Sequence, residues 1–174
     1  AGSVRDGVIG LTVMDYLLQG KKGERSISAK TSWFCFGDKI VCLVAGLKGN
    51  AVVSAYTALD QCRWRGAVVV NGKNKNDEGN FLFPNCKWIY HYGFAYMPIG
   101  NAAVDVELHT VAGSWQNINK SEPNELIKEK IFMPLLLNND WSVERSFGYI
   151  LAHCRNSKEA KRVTKKPDFN IISN

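Results

Sequence analysis

Almost nothing in this sequence reads as helix, no apolar run is long, and only three histidines occur among 174 residues. No window approaches the roughly 18 apolar residues that a membrane span needs, so no membrane partner is expected. The opening AGSVRDGVIG lacks the basic-then-apolar pattern of a secretory leader. Cysteines stand at 35, 42, 62, 86 and 154, but no CxxC occurs and no Cys/His cluster has zinc spacing. That argues against a structural zinc. The odd count leaves at least one thiol free. With neither a zinc finger nor an aromatic RNA-binding signature, no nucleic-acid partner is expected.

The rest is ordinary globular composition, 45% hydrophobic and 22% charged, in a length suited to one domain with a substantial core. The net charge of +6 permits an acidic partner without choosing one. Much of the excess lies in two runs: Lys21, Lys22 and Arg25, then Lys158, Lys161, Arg162, Lys165 and Lys166. The plain reading of both is solvated surface.

The dominant period is two. VDVELHTV sets Val104, Val106 and Leu108 on one face and Asp105, Glu107 and His109 on the other, a half-buried strand. KTSWFCFGDKIVCLVAGL is two apolar runs hinged at Gly37-Asp38, a hairpin. AYTALDQC, GAVVV and RSFGYILAHC are further strands, and NGKNKNDEGN is a long polar turn region. KWIYHYGFAYMPI is one long strand or two bent at Gly93. EKIFMPLLLNN carries Pro134, which predicts an edge strand or a bulge. Only SKEAKRV has a helical pattern, with Ser157 as its N-cap and Pro167 beyond its end. Strands about ten residues apart, joined by polar turns, predict an all-β antiparallel sandwich with one or two short helices. No linker divides residues 1–174.

With Gly37-Asp38 as the turn, Cys35 lies opposite Ile40 and Cys42 opposite Trp33. The thiols then share a face diagonally, about 7–8 Å apart at Cα. That exceeds comfortable disulfide reach, so buried free cysteines are expected. His91 and Tyr92 look like a His/Tyr pair. Strand neighbours point to opposite faces, so without a bulge they cannot serve one substrate. His91 is expected to pack or hydrogen-bond inside the sandwich. Asp105, Glu107 and His109 share a face that suits a cation or acid–base work, with a solvated face as the plainer expectation. Trp88 and Trp115 are aromatics that could stack on a flat ring.

Six stretches, taken together and in order, resemble a known family. SAKTSWFCFGDKIVCLVAGL resembles the SAKKSWFFFDDEIVCLGAGI pattern of family 8 polysaccharide lyases, and YTALDQC resembles the TTLNQ strand that follows it. KWIYHYGFAYMPI with GSWQNIN is similar to the family's W-x-x-H-D-x-x-G-Y and G-x-W-x-x-I-N pair, with Tyr92 in place of the Asp. ERSFGYILAHC and FNIISN are similar to YAYIVLP and IEILSNT. The resemblance runs nearly the whole chain, in order, and is nearest to the chondroitin AC, hyaluronate and xanthan lyases.

The resemblance implies the central, galactose mutarotase-like "super-sandwich" of a larger enzyme that starts with a helical toroid and ends with a smaller β domain. Such enzymes cleave uronic-acid-containing polysaccharide by β-elimination, using Asn, His, Tyr and Arg from the toroid and a Glu upstream of this region. None of these transfers to a numbered position here, so the catalytic set is empty and the chain alone is expected to be inactive. For Trp88 and Trp115 the resemblance makes the flat ring a sugar, and it also implies core or inter-sheet packing for Trp115. Some relatives bind Ca²⁺ near this region's start. The positions matching that pattern are Asp6 in RDGVIG and Asp15-Tyr16 in MDYL, with Val4 where a further acidic residue is expected. The implied partners are a glycosaminoglycan-like acidic polysaccharide and the remaining domains of a parent lyase, and the implied location is secreted or periplasmic. The alternative is a non-catalytic carbohydrate-binding or scaffolding sandwich.

Overall fold

The computed structural model describes residues 1–19, 26–49, 55–100, 102–138 and 144–165. The strands are β1 (Gly2–Arg5), β2 (Ile9–Gln19), β3 (Ser26–Phe36), β4 (Lys39–Gly49), β5 (Ala55–Ala58), β6 (Cys62–Arg63), β7 (Val68–Val70), β8 (Lys73–Lys75), β9 (Gly79–Cys86), β10 (Ile89–His91), β11 (Phe94–Ile99), β12 (Ala102–Gly113), β13 (Ile127–Asn138) and β14 (Arg145–His153). One helix, α1 (Ser157–Lys165), and a 3-10 turn at Trp115–Asn117 complete the described elements. Among the described residues no helix is long and apolar enough to cross a membrane.

All recorded strand pairs are antiparallel. They build a large sheet in the order β1-β2-β3-β4-β14-β11-β10-β7-β8 and a smaller one in the order β5-β13-β12-β9, with β6 also on β13. The sheets enclose a core of Val68, Val70, Ile89, Tyr96, Val104, Val106, Leu108, Phe132 and Leu136 with their neighbours. The inward residues of β12, Val104, Val106 and Leu108, are each fully buried. Each such side chain contributes about 1.5–3 kcal/mol. A second cluster lies on the other face of the large sheet. There Ala160 of α1 closes over Trp88, Ala95, Met97, Ala152 and Cys154. The large sheet is thus covered twice, which is why β11 buries four of its six residues in succession instead of alternating.

The β3–β4 hairpin turns at Gly37, whose φ of +57° suits glycine. Trp33 pairs with Cys42 and Cys35 with Ile40, as the spacing predicts. All five cysteines are free, but Cys35 is exposed, contrary to the expected burial. The cluster built on Ala29, Cys42 and Val44 with Trp33 draws no residue from the smaller sheet, whereas Phe34, Phe36 and Val41 nearer the turn join the cluster under α1.

Four local readings change or are sharpened. The polar stretch after Val70 contains a strand: Asn71 and Gly72, at φ +51° and +89°, turn β7 into β8. Of the two readings of KWIYHYGFAYMPI, two strands broken at Gly93 holds, and the break is a full reversal at Tyr92-Gly93 and not a bend. β13 is an interior strand despite Pro134. The Pro134 carbonyl accepts the Leu59 N–H at 2.9 Å, in the break between β5 and β6. Its ring nitrogen faces the same break, so the missing N–H costs no bond to β12. Finally, Ser157 is helical, and Asn156 caps α1 by accepting the Glu159 N–H at 3.0 Å.

Candidate functional site

The β10–β11 turn fixes the site. His91 pairs with Phe94 across a two-residue loop, and Tyr92 and Gly93 take φ of +41° and +93°. That is the geometry of a type I′ turn, in which Asn-Gly is the favoured pair. A tyrosine there is strained, and it is 62% exposed. The turn, not strand alternation, sets how His91 and Tyr92 relate: their ring centroids stand 6.2 Å apart, His91 buried and Tyr92 exposed, and both line one concavity.

His91 is 2% exposed. Its ring packs on Phe132 with centroids 4.4 Å apart. Nε2 accepts the backbone N–H of Arg65 at 3.0 Å, so the proton sits on Nδ1, which faces Cys62 Sγ at 3.7 Å. Burial holds the imidazole pKa below its ordinary value of 6.5, against the pull of Asp60. Burial and Asp60 push the Cys62 thiol up to about 12. The Tyr96 hydroxyl donates to Asp60 Oδ2, and burial with that carboxylate drives its pKa upward. The floor thus holds a neutral imidazole, a neutral thiol and a neutral phenol, none poised as a nucleophile at neutral pH.

Above this floor is a concavity of about 280 Å³ lined by Asp60, Cys62, Arg63, Arg65, His91, Tyr92, Phe94 and Tyr96. The Arg65 guanidinium carbon stands 5.3 Å from the Tyr92 ring centroid. Arg63 pairs with Glu129 at 3.0 Å. Phe94, 43% exposed, forms part of the wall. A larger hollow of about 590 Å³ runs from Asp38 and His153 to Arg162 and Lys165. Its carboxylates are already engaged: Asp38 with Lys39 at 2.7 Å, and Glu159 with Arg155 and Arg162 at 3.2 and 3.6 Å.

The other candidates fall in separate places. Asp105, Glu107 and His109 do line the outer face of β12, tied together by Asn80. Its Oδ1 takes the His109 Nε2 proton at 2.6 Å, and its amide lies 3.5 and 3.4 Å from Asp105 and Glu107. Asp105 Oδ1 is buried without a partner among the described residues. Trp88, 6% exposed, is core beneath α1. Trp115 is corrected the other way: its 3-10 turn leaves it 58% exposed instead of packed between sheets.

The positions suggested for calcium do not make one site. Asp6 turns β1 into β2, its Oδ1 accepting the Val8 and Ile9 N–H groups at 2.9 and 2.7 Å. Those bonds lower its pKa. Asp15 and Tyr16 lie further along β2, with Asp15 opposite Lys30. From Gly10 to Asp15 the strand advances about 17 Å. Calcium needs six to eight oxygens around one point. Among the described residues no group of three His, Cys, Asp or Glu side chains is placed to hold a metal ion. Lys21, Lys22, Arg25, Lys166 and FNIISN lie outside the described residues.

Comparison with known proteins agrees with the fold. Residues 1–164 match the family "Polysaccharide lyase family 8, super-sandwich domain". The chain belongs to this family. It is 30% identical over 137 residues to chondroitinase-AC of Pedobacter heparinus, covering 76% of this chain and 18% of that protein. It is 28% identical over 159 residues to a hyaluronate lyase of Thermasporomyces composti, covering 87% of this chain and 20% of that one. A solved chondroitinase AC lyase structure superposes with a TM-score of 0.85 at 24% identity, over 99% of this chain and 25% of the other. A Paenibacillus xanthan lyase superposes at 0.83 and 24% identity, over 97% of this chain and 17% of the other. The chain thus spans about a fifth of the length of these relatives.

Proposed function

We propose that this chain serves as the sandwich domain of a lyase that cleaves a uronic-acid-containing polysaccharide, of chondroitin or hyaluronan type, by β-elimination, and that the chain alone does not turn over. The observation that carries this reading is the family match over residues 1–164. Elimination needs a base at the carbon beside the uronate carboxylate and a group that neutralises that carboxylate. The C–O bond then breaks, the leaving oxygen takes a proton, and an unsaturated uronate remains. Among the described residues the histidines are dispersed: His91 is buried and neutral, His109 is tied to Asn80, and His153 stands against Phe94. Among the described residues no base and neutraliser share one cleft.

The rest of the machinery then belongs to other domains of a longer polypeptide. Val4, Leu17 and Leu18 on the outer hairpin β1–β2 are 66%, 62% and 52% exposed, surface of the kind that packs against a neighbouring domain. A polymeric substrate of this kind does not cross a membrane unaided, which places the work outside the cytoplasm. The test is an assay of the longer polypeptide that carries this chain on chondroitin, hyaluronan and xanthan, following the ultraviolet absorbance of unsaturated uronate. Turnover of a uronate polymer supports the reading. Release of saturated ends alone, or no turnover of any of them, overturns it.

A further inference from the structure

We propose that the concavity at the Tyr92-Gly93 turn binds one anionic sugar ring, a pyranose bearing a carboxylate or sulfate, and so gives this domain its own hold on the polymer. This rests on the reading of a polysaccharide-degrading parent. Tyr92 keeps a bulky ring, 62% exposed, in a left-handed conformation where Asn or Gly would sit at lower cost. Strain of that kind persists where the surroundings fix it, and it clusters at ligand sites.

What fixes the ring is Arg65, 5.3 Å from its centroid. Arg63 is committed to Glu129, whereas the Arg65 guanidinium meets no carboxylate among the described residues. Its planar fork is left to a bidentate anion, and carboxylate and sulfate both fit it. Tyr92 and the half-exposed Phe94 offer flat apolar surface for the C–H face of a pyranose. Asp60 lies on the same wall, one oxygen taking the Tyr96 hydroxyl and the other the Gln61 N–H at 2.7 Å. A carboxylate retains lone pairs after two such bonds and can accept sugar hydroxyls. Its charge also turns an anionic substituent toward Arg65.

The volume decides the scale. About 280 Å³ falls just below the range of drug-sized ligand pockets, roughly 300–1,000 Å³, so the site suits one ring and not a length of polymer. The floor of His91, Cys62 and Tyr96 is uncharged and internally bonded, so it presents shape and leaves charge recognition to the rim. A bare inorganic anion would leave the aromatic surface unused. For so small a contact the Kd should be about 1 mM.

The experiment is a ¹⁵N–¹H chemical-shift titration of the 174-residue chain with three tetrasaccharides. Hyaluronan carries carboxylates, chondroitin sulfate adds sulfates, and maltotetraose carries no charge. Saturable shifts at Cys62–Gly66 and His91–Phe94 are expected with the first two and not with maltotetraose. Equal affinity for the two anionic sugars assigns the anion to the carboxylate, and tighter chondroitin sulfate binding assigns it to the sulfate. Arg65→Gln should weaken binding about tenfold or more, the scale of a charge-assisted bond. Tyr92→Asn, which keeps the turn and removes the ring, should weaken it independently. Unchanged shifts at distant amides show that both variants fold. Shifts confined to α1, equal binding of maltotetraose, or an Arg65→Gln protein that binds normally would each overturn the site. Turnover by the longer polypeptide without shifts here removes this site alone. Shifts here with no turnover remove the lyase reading and leave the site.

Discussion

His91 Nε2 accepts the backbone N–H of Arg65 at 3.0 Å, joining the strand that carries the buried imidazole to the loop that carries the rim guanidinium. One bond thus ties the interior of the sandwich to its candidate sugar site. Protonating His91 places a hydrogen on Nε2, which then donates instead of accepting, and breaks the bond.

Acid sensitivity should follow. The folded imidazole pKa lies below the 6.5 of the free group, so the unfolded chain takes up the proton first as pH falls. Stability contributed here is complete above 6.5 and declines below it until the folded imidazole itself protonates. Denaturant midpoints measured across that window should fall with acidity in the native protein and fall less in His91→Gln, whose amide oxygen replaces the acceptor without titrating. His91→Leu should lose about 1–3 kcal/mol at neutral pH by stranding the Arg65 N–H. Equal slopes in His91→Gln and native protein would sink the argument.

The thiols should sort by position. Cys35 is exposed, Cys42, Cys86 and Cys154 are buried, and the Cys86 pKa is pushed up to about 12 by burial. Alkylation of native, unreduced protein should label Cys35 first, and unfolding should release the rest. Peptide mapping that recovers a Cys35–Cys42 disulfide would contradict the pairing of Trp33 with Cys42.

Gly148 should tolerate no side chain. A Cβ there would stand 2.8 Å from the Cys42 carbonyl oxygen and 2.8 and 2.9 Å from Leu43 and Ile99 side-chain carbons. The carbonyl belongs to the β4–β14 ladder and cannot withdraw. Gly148→Ala should destabilise by at least about 1–3 kcal/mol, read from the urea midpoint. A neutral effect would show that β14 sits elsewhere.

Tyr92 should trade stability for binding. Its left-handed conformation costs about 1–2 kcal/mol, and an exposed Arg–ring contact returns about 0.5–1. Tyr92→Asn should therefore melt slightly higher than the native protein while losing sugar. A lower melting temperature would mean that the ring does more packing than its exposure indicates.

Much of the fold is legible in the sequence because a period of two survives translation into structure: Val104, Val106 and Leu108 face the core as read, and Gly37-Asp38 turns the hairpin. Errors cluster where one residue's tertiary neighbours decide the outcome. Pro134 reads as an edge residue until the break between β5 and β6 is seen to accommodate it. Trp115 reads as core by its motif and lies outside by its 3-10 turn. Asp6 and Asp15 look close in sequence, yet an extended strand separates what a loop would have brought together. The candidate site was half visible. His91 and Tyr92 stand out, but Arg65 and Asp60 are 26 and 31 positions from His91 in sequence. Their convergence depends on the crossing from the smaller sheet to the larger, which no local pattern encodes. The available signal was the Tyr-Gly pair in a slot that favours Asn-Gly.

The account stands most directly on whether this domain carries chemistry of its own. The purified chain should be incubated with chondroitin, hyaluronan and xanthan while the ultraviolet absorbance of unsaturated uronate is followed. The account predicts no product above the protein-free rate, because no base and carboxylate neutraliser share a cleft among the described residues. Product that persists through further purification and disappears on substituting Asp105, Glu107 or His109 would contradict it and place an elimination centre on the outer face of β12.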